Sequence, residues 1–580
     1  MRYFLTLILS AAVAATAAAQ SLPHGDYEYP VRDVQRLYSA NFGEMRPNHF
    51  HSGVDIKTDG VTGKRVVAVA DGYVSRIVVQ PGGYGRALYV THPDGTTSVY
   101  GHLQSFRPDI EKYVREERIR RRSNRVDLYF NKWEWEVERG QTIAFSGNTG
   151  TSYGPHLHFE LRETATQRTM NTIAEGIIPV TDNLPPVIAR LHYVEVDTVG
   201  CVPVHSRRRS YDVRRQAPGI YILATERAVD AGRNGYFIVE VSDRKNGVQN
   251  TFGVYRVSCA VDGEKRFEYR MDGFTFDCTR YCNAAACYDM QLSSRNEVMR
   301  LARLEGSSRG FYTTLVDDGA ISLADGETAQ VRIEAEDDCG NLSQLEFTIR
   351  GKADGDCFRA PAEAACGETI DRRRDFSHAD SLLTIEIPAG TLYESAFFEC
   401  RHAEKRPKAD SSLVVLSAVS SIMTDATPMH RGAKLALRCD VPQRLRSRAV
   451  LARLNRKGRP VYAGGRYDDG AVRGTITSFG DYFVAADTVA PKVSPRFRQG
   501  ADLSSARSLS FSVGDNFSGV ASYEGTIDGE WAIFEYMPVG GRLIHNFTDS
   551  SLARGKRHTV RITVRDNCGN SRTVECDFYR

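Results

Sequence analysis

The chain has 580 residues, a formal net charge of +3 and a hydrophobic content of 41%. That length predicts about three to five domains. The near balance of charge excludes the strongly basic surface of a nucleic-acid partner, and the apolar content supports packed cores rather than disorder.

In chain order, Arg2 precedes an apolar run, Phe4 to Val13, and then Ala17, Ala18 and Ala19. This pattern predicts a secretory signal peptide over residues 1–20, cleaved near Ala19 or Gln20. It is too short to span a bilayer comfortably. No cysteine follows the small residues, so a lipoprotein anchor is not expected, and no later run is long enough for a transmembrane segment. The expected location is the periplasm, the outer cell surface or the medium. All twelve cysteines lie at Cys201 or beyond. An even number in an oxidising compartment predicts disulfides. Cys278, Cys282 and Cys287 stand close together, but no fourth partner follows at zinc-finger spacing.

Between Asn41 and Arg162 three short segments bear histidines: His51-Ser52-Gly53-Val54-Asp55, Tyr100-Gly101-His102-Leu103 and Gly154-Pro155-His156-Leu157-His158-Phe159-Glu160. Side chains of a strand alternate faces with period two. His156 and His158 therefore share one face, and Leu157 and Phe159 anchor the other in a core. His51 and Asp55 are an even number apart and also share a face when extended. Gly53 between them leaves room for a close approach. Residues 40–165 hold no cysteine, so a metal site here is built from His and Asp. Two histidines and a carboxylate make a three-ligand set for zinc with a fourth position open. Two residues of strand advance about 6.5–7 Å while zinc–nitrogen bonds are about 2.0–2.1 Å, so one of His156 and His158 binds the metal and the other stands beside it.

The ordered set HxGxD, YGHL and GxxxGPHLHFE resembles the lysostaphin-type (LytM-like) zinc endopeptidases that cut peptidoglycan cross-bridges. Ala68, Asp71-Gly72, Gly83-Tyr84-Gly85, His92-x-Asp94-Gly95, Gly140-Gln141 and Ser146-Gly147-Asn148-Thr149-Gly150 fit the same family. The resemblance implies His51, Asp55 and His158 as ligands of one zinc per chain. It implies His102 and His156 as catalytic histidines beside the metal, and peptidoglycan as the partner and substrate. A catalytically inactive wall-binding or activator protein, and a zinc protease acting on secreted proteins, are the alternatives.

The expected fold is all-β: an antiparallel lysostaphin-type peptidase domain with a helical insert over residues 21–182, followed by β-sandwich, immunoglobulin-like modules. Arg65–Ala70, Tyr73–Gln80, Ala87–Thr91 and Thr96–Tyr100 read as strands, with Pro93-Asp94-Gly95 a hairpin turn. His49 reads as a residue supporting the site or as a surface residue, and His92 as fixing its turn. Pro108 to Arg125 predicts an amphipathic helix with Ile110, Tyr113 and Val114 as a thin apolar stripe. Its basic run is either a solvated face or a contact for anionic wall polymers. Trp133 and Trp135, read on a strand, either line the substrate groove or pack the insert down.

Farther on, four segments recur in order. Asp182 to Ile188 parallels Asp487 to Val493, Val241-Ser242-Asp243 parallels Val513-Gly514-Asp515, Val261 to Glu264 parallels Ile527 to Glu530, and Asp337 to Asn341 parallels Asp566 to Asn570. This internal repeat predicts two β-sandwich modules, at 183–351 and 487–580. Between them lie a linker, 352–377, and a β-rich middle domain, 378–486, with strands at Leu383–Pro388 and Gly480–Val484. No catalytic constellation is evident in residues 183–580. These modules are read as spacers or as surfaces for wall or protein contacts. The boundary at 182 predicts that residues 21–182 fold alone and bind zinc.

Overall fold

The computed structural model describes residues 26–225, 227–361, 367–408 and 413–580. The expected signal peptide lies outside the described residues. Among them, no helix is long and apolar enough to cross a membrane.

The chain is almost entirely β. The histidine-bearing region forms an antiparallel sheet in the order Tyr38–Ala40, Val54–Lys57, His156–Glu163, Thr96–Gly101, Arg86–Thr91, Gly72–Val79, Val126–Tyr129. The His156–Glu163 strand runs centrally, with His158 opposite Asp55 on one side and opposite Gly101 on the other. Leu157, Phe159 and Leu161 are buried with Val54, Ile56, Leu88, Val90 and Tyr100 in one core. That burial fixes the strand's register, since a one-residue slip would turn its apolar face to the histidine side. Gly53 is required here: a Cβ at this position would stand 2.3 Å from the Phe159 carbonyl oxygen.

The insert forms a helix over Pro108–Arg120, with Ile110 and Val114 buried and acidic Asp109 and Glu111 in its first turn, where the helix dipole favours them. Tyr113 meets Phe130 and Trp135 edge-on, with ring centroids 5.7 and 5.9 Å away. Trp135 thus packs the insert down, whereas Trp133 is 69% exposed. Both tryptophans lie in a turn before the short Glu136–Val137 strand, not on a strand. The basic run is not uniformly solvated either. Arg118 is buried and pairs through Nη1 with Glu535 Oε1 at 2.9 Å, and Arg86 reaches the same oxygen at 2.6 Å. Asn124 Oδ1 accepts the Phe534 backbone N–H at 2.8 Å. The last module therefore docks on the insert.

Residues 187–351 build a second, larger sheet system joined to the first. Thr169–Met170 pairs with Gly273–Phe274. Phe42 and Phe50 belong to the second core, packed near Phe274 and Phe311. The boundary at residue 182 is thus bridged by strand pairing and by shared core.

Strand Thr369–Ile370 falls within the stretch read as linker, and strand Phe376–Ala379 begins in its last two residues. The middle region has two principal sheets. One runs Phe376–Ala379, Leu383–Ile387, Ala433–Arg438, Ala471–Ile476, Arg466–Asp468. The other runs Cys400–His402, Ser420–Ile422, Gly480–Asp487, Ala449–Leu454, Pro460–Tyr462. They share a core that includes Ile385, Leu435, Leu451 and Val484. The last region again has two sheets around Phe511, Phe534, Ile562 and Phe578.

The two repeat copies make the same loop in the same way. Asp337 Oδ1 accepts the N–H groups of Cys339 and Asn341 at 2.9 and 2.8 Å, and Asp566 Oδ1 accepts those of Cys568 and Asn570 at 2.9 and 2.8 Å. The disulfides expected from cysteine parity are not formed: all eleven described cysteines are free. Cys259 and Cys282 lie buried in the second core, and burial pushes both thiols up to about 12. They behave as small apolar side chains.

Candidate metal centre

The strand pairing brings His51, Asp55 and His158 together. His51 Nε2 lies 3.1 Å from Asp55 Oδ1 and 3.1 Å from His158 Nδ1, and His158 Nδ1 lies 2.9 Å from Asp55 Oδ1. All three residues are buried. In tetrahedral zinc, with bonds of about 2.0–2.1 Å, neighbouring donors stand about 3.3 Å apart. One ion fits this triangle.

The remaining ring nitrogens fix which atoms face the triangle. His51 Nδ1 donates to the Asn41 carbonyl at 2.7 Å, leaving Nε2 as the free lone pair. His158 Nε2 donates to Glu160 Oε1 at 2.7 Å, leaving Nδ1. An outer carbonyl and an outer carboxylate orient metal-binding imidazoles in this manner. Glu160 is itself held by Ser52 Oγ at 2.7 Å, by the Tyr84 hydroxyl and by Arg162 Nη2 at 2.6 Å. Tyr84 also stacks on His158, with centroids 4.9 Å apart. Arg46 Nη2 reaches Asp55 Oδ2 at 3.1 Å.

The surroundings keep both carboxylates charged. Burial alone would raise the Asp55 carboxyl, but His51, His156 and His158 outweigh it and hold the group well below the usual carboxylate range. Burial raises and Arg162 then lowers Glu160, with a net shift downward. His51 is pushed down to about 4 by burial. Burial would also lower His158, yet Asp55 and Glu160 lift it to about 9.

His156 and His102 border this cluster. His156 donates from Nδ1 to the Gly154 carbonyl at 2.8 Å, and its Nε2 stands 3.5 Å from Asp55 Oδ1. His102 donates from Nδ1 to the Thr149 carbonyl at 2.8 Å. Its ring centroid is 4.7 Å from that of His156 and 5.9 Å from that of His158. With Nδ1 tied to a carbonyl in each ring, Nε2 is the remaining nitrogen, and that of His156 faces Asp55. Burial, with His156 and His158 nearby, depresses His102 to about 3, so it is neutral at pH 7. His102 has φ of 59°, an uncommon left-handed conformation for a non-glycine residue, where the chain leaves the Thr96–Gly101 strand.

His49 stands apart: it is exposed, and its ring Nδ1 lies 3.0 Å from the Pro47 carbonyl. His92 ties its turn to the preceding loop, with Nδ1 2.9 Å from the Asp71 carbonyl and Nε2 2.8 Å from Ser98 Oγ. Sequence reasoning did not assign roles to Glu160, Asn41, Tyr84 or Arg46. Period two, extended from His156 and His158, already put Glu160 and Arg162 on the same face. The other three arrive from separate segments and carry no such local signal.

The profile of peptidase family M23 matches residues 49–119 and 131–171, and that of a Zu5-like domain matches residues 368–487. The chain is 35% identical over 150 residues to an uncharacterized metalloprotease of Haemophilus influenzae, covering 24% of this chain and 26% of that one. It is 32% identical over 142 residues to the DD-carboxypeptidase/endopeptidase Mpg of Neisseria meningitidis, covering 24% of each. It is 34% identical over 148 residues to the murein hydrolase activator NlpD of Salmonella dublin, covering 26% of this chain and 31% of that one. The chain thus spans about a quarter to a third of the length of these relatives.

Proposed function

We propose, from the premise that residues 49–171 belong to the LytM-like peptidases of family M23, that the chain is an exported zinc metalloendopeptidase. Its substrate would be the stem or cross-bridge peptides of peptidoglycan. The observation that carries this reading is the complete cluster. Three donor atoms lie 2.9–3.1 Å apart, each imidazole donor has its second nitrogen anchored, and two further imidazoles offer Nε2 beside them.

His51 Nε2, Asp55 and His158 Nδ1 would hold the zinc. When bound, zinc supplies Lewis acidity and brings the pKa of water towards about 7. Asn41 and Glu160 keep the two ligand imidazoles in the required tautomers. His102 and His156, tied at Nδ1 to carbonyl oxygens, each present an Nε2 that can accept a proton from the attacking water. Once protonated, that Nε2–H can donate to the oxyanion or to the leaving amine. Either ring has the geometry for either role.

The likeness to a relative described as a murein hydrolase activator supports a second reading, wall binding without cleavage. Digestion of purified sacculi separates the two. The peptidase reading expects new free amino termini that disappear on chelation and return with zinc. An absence of new termini from zinc-loaded protein, with stimulation of a separate wall hydrolase, would establish the activator instead.

A further inference from the structure

A second group of side chains of metal-ligand type lies outside the peptidase cluster, in the middle sandwich. Phe376–Ala379 is an edge strand of one of its sheets, and Cys400–His402 is an edge strand of the other. His378 and the adjoining Asp380 come from the first edge, and Cys400 and His402 from the second. The ligand atoms of Asp380, Cys400 and His402 all lie within 4.8 Å of one another.

We infer that Asp380, Cys400, His402 and His378 form a structural zinc site that staples the two open edges of this sandwich together. Asp380, Cys400 and His402 are the mutually close set, and His378 joins it through Asp380. Asp380 Oδ2 is 2.8 Å from His402 Nε2 and 3.6 Å from His378 Nε2, and Cys400 Sγ is 3.8 Å from His402 Nε2. A tetrahedral zinc site places nitrogen and oxygen donors about 3.3 Å apart, and sulfur and nitrogen donors about 3.6 Å apart.

The surrounding bonds leave these atoms available. His378 Nδ1 is engaged by Glu368 at 3.0 Å and His402 Nδ1 by Ser420 Oγ at 2.9 Å, so both rings turn Nε2 towards Asp380. Asp380 Oδ1 accepts the N–H groups of Leu382 and Leu383 at 2.7 and 2.9 Å, which leaves Oδ2 inward. Among the described residues, the Cys400 sulfur has its one polar contact with His402. One thiolate, one carboxylate and two neutral imidazoles balance the charge of a divalent ion. Three mutually close donors of mixed S, N and O type, with the His378 imidazole beside them as the fourth, suit structural zinc. An edge strand is also where a sandwich needs closing.

The test replaces zinc with cobalt(II) in the full-length chain. The expected result is two equivalents per chain and a near-ultraviolet thiolate-to-cobalt charge-transfer band. The His51, Asp55 and His158 cluster contains no sulfur and cannot give this band. C400S should lose the band and one equivalent. H158A should lose the other equivalent and keep the band, so failure of the peptidase reading is read separately. H378A, expected to weaken binding at the same site, covers the case in which C400S does not fold. A wild-type chain with no thiolate band, or a folded C400S that keeps both equivalents and the band, overturns the inference.

Discussion

Removing everything after residue 182 should cost the peptidase region most of its stability. Phe42 and Phe50 are 2% and 1% exposed, and their packing neighbours Phe274 and Phe311 would be lost. Exposing two such rings costs about 3–6 kcal/mol, at about 1.5–3 kcal/mol each. Asn41 would also lose three buried hydrogen bonds: Nδ2 to the Gly253 carbonyl at 2.9 Å, Nδ2 to Asp338 Oδ2 at 3.2 Å, and Oδ1 from the Gly253 N–H at 3.0 Å. At about 0.5–1.5 kcal/mol each, these add about 1.5–4.5 kcal/mol. The sum, about 5–10 kcal/mol, rivals the whole stability of a typical domain, about 5–15 kcal/mol. The same loss reaches the metal, because the Asn41 carbonyl orients His51. Disturbing such an outer partner typically weakens metal binding by about 10–100-fold. The assay compares residues 21–182 with the full chain by thermal unfolding and competitive zinc titration. A fragment that unfolds cooperatively at the full-length temperature and binds zinc equally tightly would refute this reasoning.

Two further outcomes are expected. His158→Ala should lose the peptidase-site zinc together with activity, whereas His156→Ala and His102→Ala should keep it and lose about a hundredfold to ten-thousandfold in turnover; metal analysis and sacculus hydrolysis on the same preparations check this, and a metal-free His156→Ala beside a loaded His158→Ala reverses the assignment. Burial lifts Glu297 to about 7, against the lowering influence of its bonds from the Met45 and Val254 N–H groups. Its unfolded value is about 4.3, so the folded chain holds the proton more tightly. The resulting stabilisation is full below pH about 4.3 and is lost as pH rises towards 7, at no more than about 1.4 kcal/mol per unit. Glu297→Gln should flatten that part of the profile in urea unfolding between pH 5 and 7.5, and equal slopes for the two proteins would count against it.

The sequence by itself determined the strand faces and the turn positions. A strand alternates through local covalent geometry, so His156, His158, Glu160 and Arg162 had to part from Leu157, Phe159 and Leu161. The same rule put His51 and Asp55 on one face. Composition rich in Val, Tyr and Thr gave Tyr73–Gln80, Ala87–Thr91 and Thr96–Tyr100 to within one residue, whereas the strand expected over Arg65–Ala70 ends at Val67 and lies in a separate three-stranded sheet. The repeated Asp-x-Cys-Gly-Asn-type loops were legible because each Asp bonds N–H groups only two and four residues ahead.

Other features depended on which distant segments become neighbours, and local pattern carries no record of that. Arg118 looked like part of a solvated basic face, yet its partner Glu535 is supplied by the last module. Cysteine parity suggested bridges, but pairing needs two Cα atoms within about 7 Å in suitable orientation, and the fold instead buries Cys259 and Cys282 singly among apolar side chains. Trp135 packs on the insert while Trp133 faces solvent, a choice made by the positions of Tyr113 and Phe130. The separation of the peptidase region from the neighbouring sheet system was likewise a tertiary matter. Phe42 and Phe50 read simply as apolar residues before the first histidine motif, and only the docking of the next sheet decided whose core they fill.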